Sequence, residues 1–148
     1  MKPLLVLLIV FGITATASKI FYHSWNLEFA GNFAMSIMLL FTAMAHFAFS
    51  KGMAMMLPSF VPFKEQTVYV TGFIEILTGI GLLIKPYRHL TGILLIIFFI
   101  LILPANIYAA IHKINYEKSS YSGKGINYLW FRIPLQIVFT EWVLYFAI

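Results

Sequence analysis

A small set of polar side chains interrupts the long apolar runs of this 148-residue chain: His46, Glu75, Asn106, Arg132, Gln136 and Glu141. A carboxylate and a guanidinium can pair, an imidazole can carry a proton, and two amides can orient whatever lies between them. Together these groups could hold the polar end of a small molecule or lock helices in register. Buried in hydrocarbon, each would cost on the order of a few kcal/mol without a partner.

The surroundings are hydrocarbon-like: 61% of the residues are hydrophobic and only 10% are charged. A soluble domain of this length cannot hide so much apolar surface. The expected fold is all-α, a polytopic transmembrane helical bundle forming one membrane-embedded domain over 1–148. Its four core helices fall at about 33–50, 67–84, 90–112 and 128–148, with a further N-terminal helix at 3–17. Each run approaches the ~20 residues that cross a bilayer, and the fourth, at about 1.5 Å per residue, reaches about 35 Å. The first run, with Lys2 before it and Ala15, Thr16 and Ala17 at its end, also has the pattern of a signal-like segment, and retention is the reading adopted for residues 1–30.

Lys2, Lys51, Lys64, Lys113, Lys118 and Lys124 fall on one side of such a bundle, against Lys19, Lys85 and Arg88 on the other. The positive-inside tendency places the second and fourth connections in the cytoplasm. The net charge of +5 is spread along the connections, which fits topology and contact with the lipid bilayer and argues against nucleic acid. Trp25, Trp130, Trp142 and Tyr145 suit the interfacial belts.

Counting along the helices puts His46 and Arg132 about 6 to 8 Å from the face bearing the second and fourth connections, Asn106 about 9 Å, and Glu75 and Gln136 about 12 Å. Arg132 and Gln136 share one face, as do Thr71, Gly72, Glu75, Thr78 and Gly79. The expected arrangement is a Glu75–Arg132 pair, its remaining donors and acceptors met by Asn106, Gln136 and His46. Pro104 deprives the Ile100 carbonyl of its usual donor and should kink the helix just before Asn106. Glu141 lies at another level without an evident partner.

The second connection, KGMAMMLPSFVPFKEQ, is apolar enough to lie in the headgroup region, as a lid over the bundle mouth or as an interfacial anchor. The fourth, KINYEKSSYSGKGIN, reads as an ordinary flexible loop. No phosphate-binding loop, nucleophile elbow or HExxH motif is present, and without cysteine there is no thiolate metal site or dithiol relay. No metal is expected. His46 and His112 lie toward one face, but His112 ends its helix at the interface, which argues against a haem between them.

AHFAFSKGMAMMLPSFVPF, the G-x-x-E of Gly72 to Glu75, LPANIYAAIH and LWFRIPLQ, in this order, resemble the DoxX-like family of bacterial integral membrane proteins over about residues 33–148. Ala45 stands where many relatives have Asn, and the N-terminal run is an addition. His46, Pro58, Glu75, Asn106, Arg132 and Gln136 fall at the motif positions. The resemblance implies a multi-pass protein of the bacterial cytoplasmic (inner) membrane, serving as a subunit that acts with a redox partner protein. It carries over no catalytic residue. With no covalently bound cofactor, such a role needs an exchangeable quinone or the partner's own centre. The competing expectation is a non-catalytic scaffold or assembly protein whose polar cluster only locks the helices. A small transporter fits less well, given the short chain without an evident repeat.

Overall fold

The computed structural model describes residues 2–148. These form six helices: α1 (Lys2–Tyr22), α2 (Leu27–Ala48), α3 (Ser50–Met55), α4 (Lys64–Leu83), α5 (Lys85–Ile111) and α6 (Asn127–Phe146). The chain is an all-helical bundle. Its only β feature among the described residues is an isolated bridge between Asn115 and Ser120.

Two helices, α2 and α5, begin more than a turn earlier than hydropathy predicts, and both extensions have local causes. The run expected at 33–50 starts at Leu27 because Asn26 caps it, its side chain accepting from the Phe29 N–H at 3.1 Å, with Glu28 in the first turn to favour the positive end of the dipole. The run expected at 90–112 starts at Lys85, with Pro86 in its first turn, where a missing N–H costs nothing. The third connection thereby shrinks to Ile84. Arg88, buried here, donates from Nε to the Leu82 carbonyl at 3.0 Å and pairs with Glu28, so it fastens the end of α4 and the start of α2 to α5. The N-terminal helix extends past 3–17 to Tyr22 and turns at His23, which adopts positive φ.

α2 is the hub, packing on α1, α4 and α6. Its buried face alternates small residues, Ala30, Gly31, Ala34, Ser36 and Ala43, with Met35, Met38 and Leu39. In lipid, helices associate through close packing and interhelical hydrogen bonds, because apolar burial alone favours neither side. Gly72 of α4 illustrates the close approach, since a Cβ there would meet the His46 Cβ at 2.9 Å. Gly31 likewise accepts the Phe146 ring against its backbone.

α1, α2, α4 and α5 are long and apolar enough to cross a membrane. α6 is not among them by composition, because Arg132, Gln136 and Glu141 lower its hydropathy. It nevertheless runs antiparallel beside α5: Gln136 bonds the Phe99 carbonyl, and farther along Val143 and Ala147 close on Gly92. At its far end the Phe146 carbonyl accepts from Asn32 at 2.6 Å, and Trp142 donates to the Gly31 carbonyl at 3.0 Å. α6 thus traverses the same thickness as its neighbours, its polar residues sheltered or, for Glu141, outward-facing.

Candidate functional site

Near the end of the bundle that carries α3 and the α5–α6 connection, a cavity of about 220 Å³ opens between the helices. His46 from α2, Glu75 from α4, Asn106 from α5 and Arg132 from α6 all line it. Four of the five residues expected to form one polar cluster are therefore brought together. The fifth, Gln136, lines an adjoining hollow of about 40 Å³ that shares Glu75, Arg132 and Thr42 with the larger one.

The pairing within the cluster differs from expectation. Glu75 Oε1 lies 3.5 Å from His46 Nε2, and no ion pair joins Glu75 to Arg132. The cause is visible in the packing: Gly72, one turn before Glu75, lets α4 sit against His46 itself, so the imidazole reaches the carboxylate first. His46 Nδ1 in turn lies 3.1 Å from the Val68 carbonyl and 3.0 Å from Thr71 Oγ1. Thr71 was legible as part of the polar stripe on this helix, but its role in holding the imidazole was not.

Asn106 and Gln136 do not complete the cluster in the expected way. Gln136 donates to the Phe99 carbonyl, one residue before the Ile100 carbonyl that Pro104 leaves without a helical donor. α5 continues without interruption through Pro104, which faces outward. Three buried polar atoms have no partner among the described residues: Glu75 Oε2, Asn106 Nδ2 and Gln136 Oε1. Each such atom costs roughly 1–3 kcal/mol, and together they mark the least satisfied region of the bundle interior.

Above the polar floor the walls are apolar, with Phe41, Phe98 and Ile102 from the bundle and Met53, Met56 and Leu57 from the second connection. That connection divides in function. Its first part, α3, covers the cavity, whereas Phe60 and Phe63 beyond Pro58 are 82% and 76% exposed, as interfacial anchors are. The α5–α6 connection is folded and not the flexible loop its composition suggests. Asn115 and Ser120 exchange backbone hydrogen bonds at 2.7 and 3.2 Å, and the Gly123 N–H bonds the Lys113 carbonyl at 2.6 Å. Gly52 of α3 is pressed against the Tyr116 carbonyl, so close that a Cβ would lie 1.8 Å from its oxygen.

This docking adds residues to the mouth that hydropathy could not single out: Tyr116, Glu117 and Tyr128, with Lys2 from α1. Lys2 Nζ pairs with Glu117 at 3.2 Å, tying the N-terminal helix to the connection. The Tyr116 phenol is held above its ordinary 10.0, first by burial and then by the nearby Glu117 and Tyr128, with Arg132 and Lys2 opposing. Arg132 itself makes no ion pair or hydrogen bond among the described residues. His112 bends back to the Tyr108 carbonyl at 2.9 Å, stacks on that ring, and does not line the cavity.

The arrangement can hold a small molecule with its oxygen atoms toward Arg132 and Asn106 and its body among the aromatic and methionine side chains. No curated protein and no solved structure matches the chain. Residues 35–147, from the middle of the hub helix through α6 and so including every cavity residue except Lys2 and Pro3 of α1, match a described family. The chain belongs to that family, a domain of unknown function (DUF8561).

Proposed function

We propose that this protein, related to the DoxX-like proteins, sits in the bacterial cytoplasmic membrane and binds a small amphipathic molecule, such as an exchangeable quinone, as the membrane subunit of a redox system completed by a partner protein. The observation that carries this reading is Arg132: a guanidinium inside the bundle, on the polar floor of a cavity with apolar walls, with no carboxylate within ion-pair distance among the described residues. A cation at that depth is costly unless an anion or a strong acceptor meets it. Asn106 Nδ2, also without a partner, would supply a second donor to the same ligand oxygen. A volume of about 220 Å³ falls below the roughly 300 Å³ at which pockets for drug-sized ligands begin. A single ring or a short chain fits, with any long tail left in the lipid.

The test is mass spectrometry of small molecules retained after purification in mild detergent. A molecule enriched on the wild type and lost in Arg132→Leu is expected. No enrichment, or the same enrichment in both proteins, would overturn the reading.

A scaffold reading draws support from a different observation. Gln136, Asn32 and Trp142 each spend a donor on a backbone carbonyl of a neighbouring helix, which fastens α6 to α5 and α2 without any ligand. These fastenings lie mostly outside the larger cavity, so they account for the stability of the bundle and leave Arg132 unexplained.

A further inference from the structure

The polar groups around the cavity divide by hydrogen-bonding character. On the side formed by α2 and α4, three threonines spend their hydroxyl hydrogens on the protein. Thr42 donates to the Met38 and Leu39 carbonyls at 3.2 and 3.0 Å, and Thr67 to the Phe63 carbonyl at 3.1 Å. Thr71 gives its hydrogen to the Val68 carbonyl at 2.7 Å or to the His46 ring. What these hydroxyls keep for a ligand is lone pairs. Glu75 belongs to the same side. It is 6% exposed, and with Oε1 turned to the His46 ring, Oε2 is the oxygen left to be met, whichever ring nitrogen carries the hydrogen.

The side formed by α5 and α6 donates. Asn106 is 3% exposed and its Nδ2 has no partner among the described residues, while the Arg132 guanidinium carries N–H groups only. At the mouth, Lys2 and Glu117 answer each other. The cavity therefore offers acceptors from one pair of helices and donors from the other, and on each side one side chain is more than nine-tenths buried with a polar atom unmet. A ketone or ether oxygen accepts only, so it would meet Asn106 and leave Glu75 facing carbon. A carboxylate has the same shortcoming, and an ammonium the opposite one. A hydroxyl both donates and accepts, so it can stand where water would without losing a bond on either side.

Resting on the reading of this cavity as a ligand site, we propose that its ligand is a hydroxyl compound, an alcohol or phenol on a compact apolar body, whose O–H donates to Glu75 and whose oxygen accepts from Asn106. Of a quinone and its hydroquinone, the site holds the hydroquinone. Phe41, Phe98 and Ile102 receive the body of the ligand. Glu75 is the specificity-determining residue, because it alone separates a hydroxyl from a carbonyl of the same shape. Asn106 serves either oxygen and so sets affinity without discriminating. His46 is a positioning residue that engages Oε1 and leaves Oε2 for the ligand.

The test is equilibrium dialysis of the full chain in mild detergent with radiolabelled trans-4-butylcyclohexanol, bound label being counted only where excess unlabelled alcohol displaces it. 4-Butylcyclohexanone, which has the same heavy atoms but no hydroxyl hydrogen, is the competitor. On the wild type the ketone should compete at least about tenfold more weakly than the alcohol, the loss expected when a buried acceptor is left unpaired. Glu75→Met should bring the two within about threefold of each other, whereas Asn106→Leu should weaken both and keep their ratio. Equal competition by alcohol and ketone on the wild type overturns the hydroxyl assignment and leaves the cavity as a ligand site; this comparison, with Asn106→Leu, decides the matter even if Glu75→Met does not fold. An undiminished preference in Glu75→Met overturns Glu75 as the acceptor. If neither compound binds displaceably, the ligand-site reading itself fails, and this inference with it.

Discussion

His46 Nε2 stands 3.5 Å from Glu75 Oε1, and the contact exists because Gly72 removes the side chain that would otherwise hold α2 and α4 apart at this level. Two ionisable groups sharing a site in a membrane-spanning bundle should be energetically coupled. Glu75→Gln and His46→Gln are each expected to destabilise the detergent-solubilised protein by about 1–3 kcal/mol. The double variant should lose less than the two losses combined, with a coupling of roughly 0.5–3 kcal/mol. Reversible unfolding of all four proteins of the cycle measures it, and additive losses would show that the contact contributes nothing. The same cycle run on Glu75 and Arg132 should be closer to additive, since no ion pair joins them.

Gly52 and Tyr116 form the seam between the two segments covering the cavity. The buried glycine lies where a Cβ would be 1.8 Å from a backbone oxygen, and neither the helical turn nor the bridged connection can yield by rotating a side chain. Gly52→Ala should therefore separate the segments, at the overpacking cost of about 1–3 kcal/mol. Limited proteolysis provides the readout: cleavage within residues 113–126 should accelerate strongly in the variant, with the transmembrane core unaffected. Unchanged cleavage would mean that the seam is not closed in membranes.

Tyr116 gives the cover a defined response to alkali. Burial, Glu117 and Tyr128 raise its phenol above 10.0, so the folded state holds this proton more tightly than the unfolded chain does. A group raised in this way contributes its full stability below about pH 10, and loses it as pH climbs through the folded value. The connection should loosen in that window. Hydrogen exchange or proteolysis of residues 113–126 as a function of pH should show an alkaline opening that Tyr116→Phe shifts upward or abolishes. An identical profile in the variant would assign the opening to other groups.

The sequence made the class of fold and the membership of the polar cluster legible for one physical reason: charged and amide side chains are costly in hydrocarbon, so their depth along each helix predicts that they meet. His46, Glu75, Asn106 and Arg132 do line one cavity. Which of them pair was not legible, because pairing depends on rotation about the helix axes and on the Gly72 contact, neither of which a depth count contains. Helix starts were misplaced at Leu27 and Lys85 for a related reason. Lys85 and Arg88 were counted with the charges of a connection, and Glu28 fell before the run expected at 33–50, yet capping by Asn26 and the buried hydrogen bond of Arg88 carry these polar residues into helix. The connection 113–126 looked flexible from its Ser and Gly content, although its order comes from backbone hydrogen bonds and from Gly52, sixty or more residues upstream in the chain.

Arg88 and Glu28 should prove unequal partners. Arg88 is 9% exposed at its side chain and spends Nε on the Leu82 carbonyl, a group at the end of α4 that would otherwise lack a donor. Glu28 is 67% exposed and keeps much of its contact with solvent or headgroups. Removing the arginine uncaps α4, unlocks the one-residue turn at Ile84 and leaves a gap in the packing. Arg88→Met is expected to cost about 2–4 kcal/mol, since it combines a lost charged hydrogen bond with an orphaned carbonyl. Glu28→Gln should cost about 0–1 kcal/mol, as exposed ion pairs do. Unfolding measurements on the two variants compare them directly. Equal losses would mean that the ion pair, and not the carbonyl bond, holds the turn; equal and negligible losses would mean that the packing of α4 on α5 suffices by itself.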